Sequence, residues 1–304
     1  MNSINSSKKG LTSLVLKIIA IISMTLDHIG YFLNNVFSVT SLSTLSYIFR
    51  VLGRLSMPLF IFLLIEGLTH TKNIKKYLLR LGIEALLIYL AITLIQVLSN
   101  KSINLMYSGN IFVTLFLLAS IYYFLYKSKF KILVILPIIY IILNFITKFI
   151  FINGFYTINE VSAFIYFNGL FLQYDILAPS FFLLILLGYK IYDYVINKKA
   201  ANNQNLINEF KETKDYQRSK NIIVCIIIAL LTLICYVITY LPIYEEGLYK
   251  LIDGALQTYM LLSALIIYFY NGRKGYSSKI IQYGCYIYYP LHLFVIYLVC
   301  YLLF

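Results

Sequence analysis

Long apolar runs alternate with short polar breaks along this chain, and that alternation constrains its fold more than any other feature. Runs near 11–33, 44–70, 77–98, 109–126, 132–152, 174–196, 221–241, 250–270 and 280–303 each approach the roughly 20 residues that carry a helix across a hydrocarbon layer about 30 Å thick. Inside lipid every backbone N–H and C=O must find a partner within the chain, so such runs are helices. The fold expected is therefore all-α, a polytopic transmembrane helix bundle of about nine spans, forming one integral membrane domain over residues 1–304. Composition points the same way: 61% of residues are hydrophobic and 12% charged, where a soluble domain carries about 25% charged residues. The segment 155–172, FYTINEVSAFIYFNGLFL, is apolar but interrupted by Glu160, Asn168 and Gly169. Whether it crosses, re-enters or lies in the interface leaves the count between eight and ten.

Charge sets the orientation. With nine crossings and a cytoplasmic amino terminus, every Lys and Arg except Arg50, Arg54, Lys101, Lys148 and Lys250 falls on the cytoplasmic side, as expected for a cell-membrane protein. The carboxyl terminus is then external. A tenth crossing at 155–172 would move the later basic clusters outside. The polar stretch 197–220 reads as a cytoplasmic linker between spans six and seven. A formal charge of +13 raises the question of nucleic acid, but the basic residues form no continuous stripe or groove-reading motif, and membrane lipids are the partners expected. Lys8 and Lys9 precede an apolar run as in a signal peptide; that run carries Asp27 and His28 and no small-residue cleavage site, so it is expected to be retained. The four cysteines sit in apolar runs without metal-ligand spacing, and no metal is expected.

Ionisable residues inside spans carry the functional signal, since each costs roughly 2.5–3.5 kcal/mol at membrane depth on insertion scales. Asp27 and His28 lie in SMTLDHIGYF, about 24 Å along the first span at 1.5 Å per residue, close to its outer end. Arg50 and Arg54, one turn apart on the returning span, reach the same level and can meet them. An ion pair tying the two spans is one reading; a histidine beside a carboxylate acting as general base is the other. Pro58 removes the helical hydrogen bond to the Arg54 carbonyl, and Pro290 does the same to Tyr286 just before His292. His292 is expected near mid-membrane, with Tyr288 and Tyr289 beside it. At the opposite end of the second span, Glu66 and His70 share a helical face, and Lys72, Lys75, Lys76 and Arg80 follow, with Glu84 placed to neutralise Arg80. That cluster either signals topology and touches anionic lipid or binds an anionic cytosolic ligand, such as the phosphates of a nucleotide-bearing cofactor. Asp175 opens the sixth span as a helix cap or a substrate contact.

The segments LKIIAIISMTLDHIGYF, FRVLGRLSMPLFIFLLIEGLTHTKNIKKYLLRLGIEALL, NIFVTLFLLA, LQYDILAPSFFLLILLGY, LQTYMLLSALIIYFYNGRKG and YGCYIYYPLHLFVIYLV resemble, in order, the TraX family of membrane proteins. The most specific parts are DHIG, GR-x(3)-P, EG-x(2)-HT, YNG-x(2)-G and the terminal YPLH; residues 140–172 match poorly. The resemblance implies a membrane acyltransferase that takes an acetyl group from cytosolic acetyl-CoA and places it on an amine or hydroxyl at the outer face. The acceptor would be a pilin-like peptide, a glycan or a lipid head group. By the same resemblance His28 with Asp27 is catalytic, Arg54 matches the family arginine and His292 the carboxyl-terminal histidine. The resulting expectation has His28 as base, Asp27 as its orienter and Arg50 or Arg54 as oxyanion stabiliser. His70, Lys72, Lys75, Lys76 and Arg80 would hold the donor. A transporter or flippase using the same charges as a relay, and an assembly factor for a surface appendage without chemistry, are the alternatives.

Overall fold

A computed structural model describes residues 10–98, 109–152, 172–174, 176–201, 203–240, 254–276 and 278–303. Its elements are helical: α1 (Ser13–Tyr31), α2 (Ser43–Gly53), α3 (Ser56–His70), α4 (Ile74–Leu98), α5 (Ile111–Tyr126), α6 (Ile135–Ile152), α7 (Leu177–Lys199), α8 (Gln204–Lys211), α9 (Lys214–Tyr240), α10 (Ala255–Tyr268, with a tighter turn at Thr258–Leu261) and α11 (Lys279–Leu303). Among the described residues six helical stretches are long and apolar enough to cross a membrane: Ser13–Val36, Thr40–His70, Ile74–Ile95, Leu177–Lys199, Lys214–Tyr240 and Tyr283–Leu303. Ile111–Tyr126, Lys131–Ile146 and Ala255–Tyr268 are shorter apolar helices. The segment 155–172, apart from Leu172, and Asp175 lie outside the described residues.

Helix α4 illustrates why these sequences need lipid. Leu79, Ile83, Leu86, Leu90, Leu94 and Val97 recur at helical spacing on an exposed stripe, while Leu81, Ile88, Ile92 and Ile95 form a buried stripe opposite. A helix apolar on both faces is stable only when one face meets protein and the other hydrocarbon. Side-chain caps mark the element starts: the Thr12 hydroxyl accepts from Val15 N at 3.4 Å, and Asn110 accepts from Phe112 N while donating to the Ala85 carbonyl at 2.8 Å.

Helix α3 lies at the centre, packed on α1, α5 and α7; α9 packs on α7 and α10, and α11 on α1 and α4. Its residues Leu59, Ile61, Phe62, Ile65 and Leu68 are fully buried. The start of α1 is laced to the loop after α10, where Leu11 N donates to the Phe269 carbonyl (2.8 Å) and Asn271 N to the Leu11 carbonyl (2.9 Å). Asn221 on α9 donates to the Tyr270 carbonyl at 2.8 Å. The YNG-x(2)-G loop thus ties the amino-terminal and carboxyl-terminal parts together at one end of the bundle.

The stretch 197–220, read as a linker, is largely helical. Helix α7 runs to Lys199, α8 fills the middle, and α9 begins at Lys214, so that Lys220 is drawn inside, 3.5 Å from Glu66 Oε1. A long apolar stem ending in a single charge can enter a helix bundle when a carboxylate waits there. The proline effects also divide. The second span breaks at Arg54–Leu55, four residues before Pro58, whereas α11 continues through Pro290.

Candidate active site

Small residues bring α1 and α2 together at the acid. A Cβ on Gly53 would lie 2.3 Å from the Asp27 Cβ, and one on Gly30 would lie 2.7 Å from the Ser46 carbonyl oxygen. The glycines of the DHIG and GR motifs are therefore the condition for close approach, which the Ser46 hydroxyl reinforces by donating to the Gly30 carbonyl at 2.6 Å. In the gap, Asp27 Oδ1 accepts from Arg50 Nη1 at 3.2 Å and from Arg54 Nη2. Asp27 and Arg54 are buried, and Arg50 keeps 19% of its side chain exposed. The break at Arg54–Leu55 serves this arrangement, because Arg54 Nε also donates to the Arg50 carbonyl at 3.2 Å and the Ser56 hydroxyl to the Gly53 carbonyl at 2.8 Å. The expected meeting of Asp27 with Arg50 and Arg54 is observed, whereas His28, expected to be oriented by Asp27, finds its side-chain partner in His292.

His292 is closer to the site than its depth along the last span suggested: His28 Nδ1 and His292 Nε2 are 2.7 Å apart, and the rings stack with centroids 5.0 Å apart. The proton positions follow from the partners. His292 Nδ1 lies 3.1 Å from the Tyr288 carbonyl, which can only accept, so this nitrogen carries a proton. In the neutral ring Nε2 is then bare and accepts from His28 Nδ1–H. By the same rule His28 Nε2 is left with its lone pair. His292 is buried and His28 half-buried, so the nitrogen free to act as a base belongs to the more accessible ring. Tyr288 completes the stack on His292, at 5.1 Å and 5° between planes, and its hydroxyl is 2.7 Å from the Thr25 hydroxyl.

Tyr174 is a neighbour that sequence reasoning passed over. Its φ of +64° is uncommon for a residue with a side chain. Its ring lies 5.9 Å from the Arg54 guanidinium, and Ser56 is its hydroxyl's hydrogen-bond partner. Nothing in the apolar context of Tyr174 announces that role; the segment's uneven hydropathy was the only signal available.

The expected donor residues occupy the other end. Lys72, Lys75 and Lys76 are exposed and Arg80 is half-buried. His70 is exposed, with Nδ1 2.8 Å from the Glu66 carbonyl oxygen. The Glu66 carboxylate meets Lys220 and the Tyr270 hydroxyl, the latter at 3.1 Å. Glu84 does not neutralise Arg80: it is buried, and its Oε2 has no hydrogen-bond partner among the described residues. Lys220 also sits 4.2 Å over the Tyr189 ring. Glu66 lies ten helical residues, about 15 Å at 1.5 Å per residue, from Ser56 at the start of α3, so the two polar centres stand at different levels, Arg54 in the break before α3 and Glu66 towards its end. Among the described residues no three His, Cys, Asp or Glu side chains converge as metal ligands.

The sequence profile of TraX protein matches residues 13–207. The chain belongs to the TraX family. Asp27, His28, Arg50, Arg54, Glu66 and the basic cluster fall within the matched residues; Lys220, Tyr270 and His292 lie beyond them and join this TraX core through the contacts above. The chain is also 42% identical over 66 residues to the probable fimbrial assembly protein FimC, serogroup H1, of Dichelobacter nodosus. That match covers 22% of this chain and 25% of the relative, so the chain spans about a quarter of the length of the curated relative it matches. No solved structure matches the chain.

Proposed function

We propose that this TraX protein is an integral membrane acyltransferase that moves an acetyl group from cytosolic acetyl-CoA to an amine or hydroxyl at the outer face. The observation that carries the reading is the His28–His292 pair, whose hydrogen bonds leave the Nε2 lone pair of half-buried His28 unused, one residue along α1 from the arginine-bound Asp27. In the reaction, His28 Nε2 takes the proton of the acceptor N–H or O–H as that atom bonds to the acyl carbon. The carbon–sulfur bond then breaks, and the departing thiolate recovers the proton from the imidazolium. Arg50, the more exposed of the two arginines, is the candidate to stabilise the tetrahedral oxyanion. Asp27 acts as a positioning residue by holding both guanidinium groups, and His292 by fixing the His28 tautomer.

The acceptor is left as a peptide amine, a glycan or a lipid head group. Basic residues gathered at the Glu66 end support a cytosolic entry for the donor, by the positive-inside bias. The test is acetyl transfer in proteoliposomes, followed as free thiol released from acetyl-CoA supplied on one side only. A second reading, an assembly factor without chemistry, is favoured by the 66-residue likeness to a probable fimbrial assembly protein. It expects no thiol release and a loss of surface appendages on deletion that His28→Asn does not reproduce.

A further inference from the structure

At the Glu66 end of the bundle, α9 and the loop after α10 enclose a cleft of about 430 Å³, inside the ~300–1,000 Å³ range of small-molecule sites. Two cations, Lys214 and Arg218, lie one helical turn apart on α9, with one acid, Asp215, between them; Tyr268 and Phe269 also line the cleft. The Arg218 guanidinium is held in place, donating to the Tyr268 hydroxyl at 2.7 Å with its carbon 5.7 Å from that ring's centre. The floor is fixed as well: the buried Asn221 accepts from Gln217 Nε2 at 2.9 Å and donates to the Tyr270 carbonyl. Arg273 and Lys274 stand exposed in the adjoining loop. The cleft therefore joins cationic groups, an aromatic wall and a side-chain amide on a rigid frame. A phosphate group alone needs only the first of these; a flat base bearing phosphates uses all three.

We infer that this cleft holds the nucleotide of the acyl donor, a purine nucleoside carrying more than one phosphate. The assignment rests on the proposed acyltransferase reading for its link to the donor. It moves the nucleotide from the exposed Lys72, Lys75 and Lys76 cluster to α9 and the loop after α10. Tyr270 lines the cleft, and its hydroxyl bonds Glu66, so one residue links the cleft to the Glu66–Lys220 centre. From that level an acyl-bearing arm must run about 15 Å along α3, from Glu66 to Ser56, to arrive at the break that holds Arg54.

The test is equilibrium binding of adenosine 3′,5′-bisphosphate to the full chain in nanodiscs of phosphatidylcholine, with and without phosphatidylglycerol. Binding is expected to be saturable and to weaken at least tenfold in Lys214→Gln/Arg218→Gln, while Lys72→Gln/Lys75→Gln/Lys76→Gln changes it less than threefold. Asp215→Asn, which removes the cleft's acid, should tighten binding severalfold, a gain that misfolding cannot produce. Equal affinity in the Lys214/Arg218 variant, or loss only in the Lys72 set, would overturn the assignment. So would a wild-type chain that ignores the nucleotide and loses only phosphatidylglycerol retention on Lys214/Arg218 replacement, which would make the cleft a lipid head-group site. Acetyl transfer without nucleotide binding would sink the cleft and leave the enzyme; nucleotide binding without transfer from any CoA thioester would do the reverse.

Discussion

At the residue scale, the ion pair and the histidine pair make separable claims. Removing one partner of a buried pair costs about 3–5 kcal/mol because it strands the other charge, and replacing both with apolar residues recovers much of that. Asp27→Leu or Arg54→Leu alone should therefore lower the melting temperature in detergent sharply, and the double variant should recover most of the loss yet remain inactive. Regained transfer in the double variant would reduce the pair to scaffold. His292→Ala removes the acceptor for His28 Nδ1–H and releases the tautomer, so kcat should fall tenfold or more with donor KM little changed. His292→Gln, whose amide oxygen can accept the same proton, should return part of that activity; identical kcat in the Ala and Gln variants would contradict the tautomer argument. The ionisable pattern in the sequence brought Asp27, Arg50 and Arg54 together, because charges at one membrane level have few partners. It did not reveal the His28–His292 contact, since depth along a helix says nothing about which way its face turns.

Elements that depend on one missing side chain give sharper tests than those that depend on many present ones. Gly53→Ala places a methyl 2.3 Å from the Asp27 Cβ, so α1 and α2 must separate. Overpacking of this kind costs about 1–3 kcal/mol, and here it also pulls Asp27 from the arginines. Activity should fall further than stability, read as thiol release set beside the melting temperature; wild-type values for both would mean the helices approach less closely than described. Apolar periodicity made the helices legible, down to the break at Arg54–Leu55 that Pro58 announces. Lys220 was illegible for the complementary reason: it closes a polar stretch, and only a carboxylate more than 150 residues away, Glu66, makes its burial favourable.

For the whole molecule, the start of α1, the ends of α3 and α10 and the start of α9 meet at one end, where Lys72–Arg80, Lys198–Lys220 and Arg273–Lys274 gather. The positive-inside bias predicts that this end faces the cytoplasm. A single cysteine at Asn208 on α8, in a chain whose four native cysteines are replaced, should react with an impermeant thiol reagent only after lysis; labelling in intact cells would invert the topology and place the donor cleft outside. The account as a whole stands or falls on His28. A general base contributes about 10²–10⁴-fold to the chemical step without binding the donor. The most direct measurement is thiol release from acetyl-CoA by wild-type and His28→Asn protein reconstituted in the same liposomes, alongside the melting temperature of each. The predicted result is loss of transfer by at least a hundredfold at unchanged stability, and a His28→Asn protein that transfers acetyl groups at the wild-type rate would contradict it.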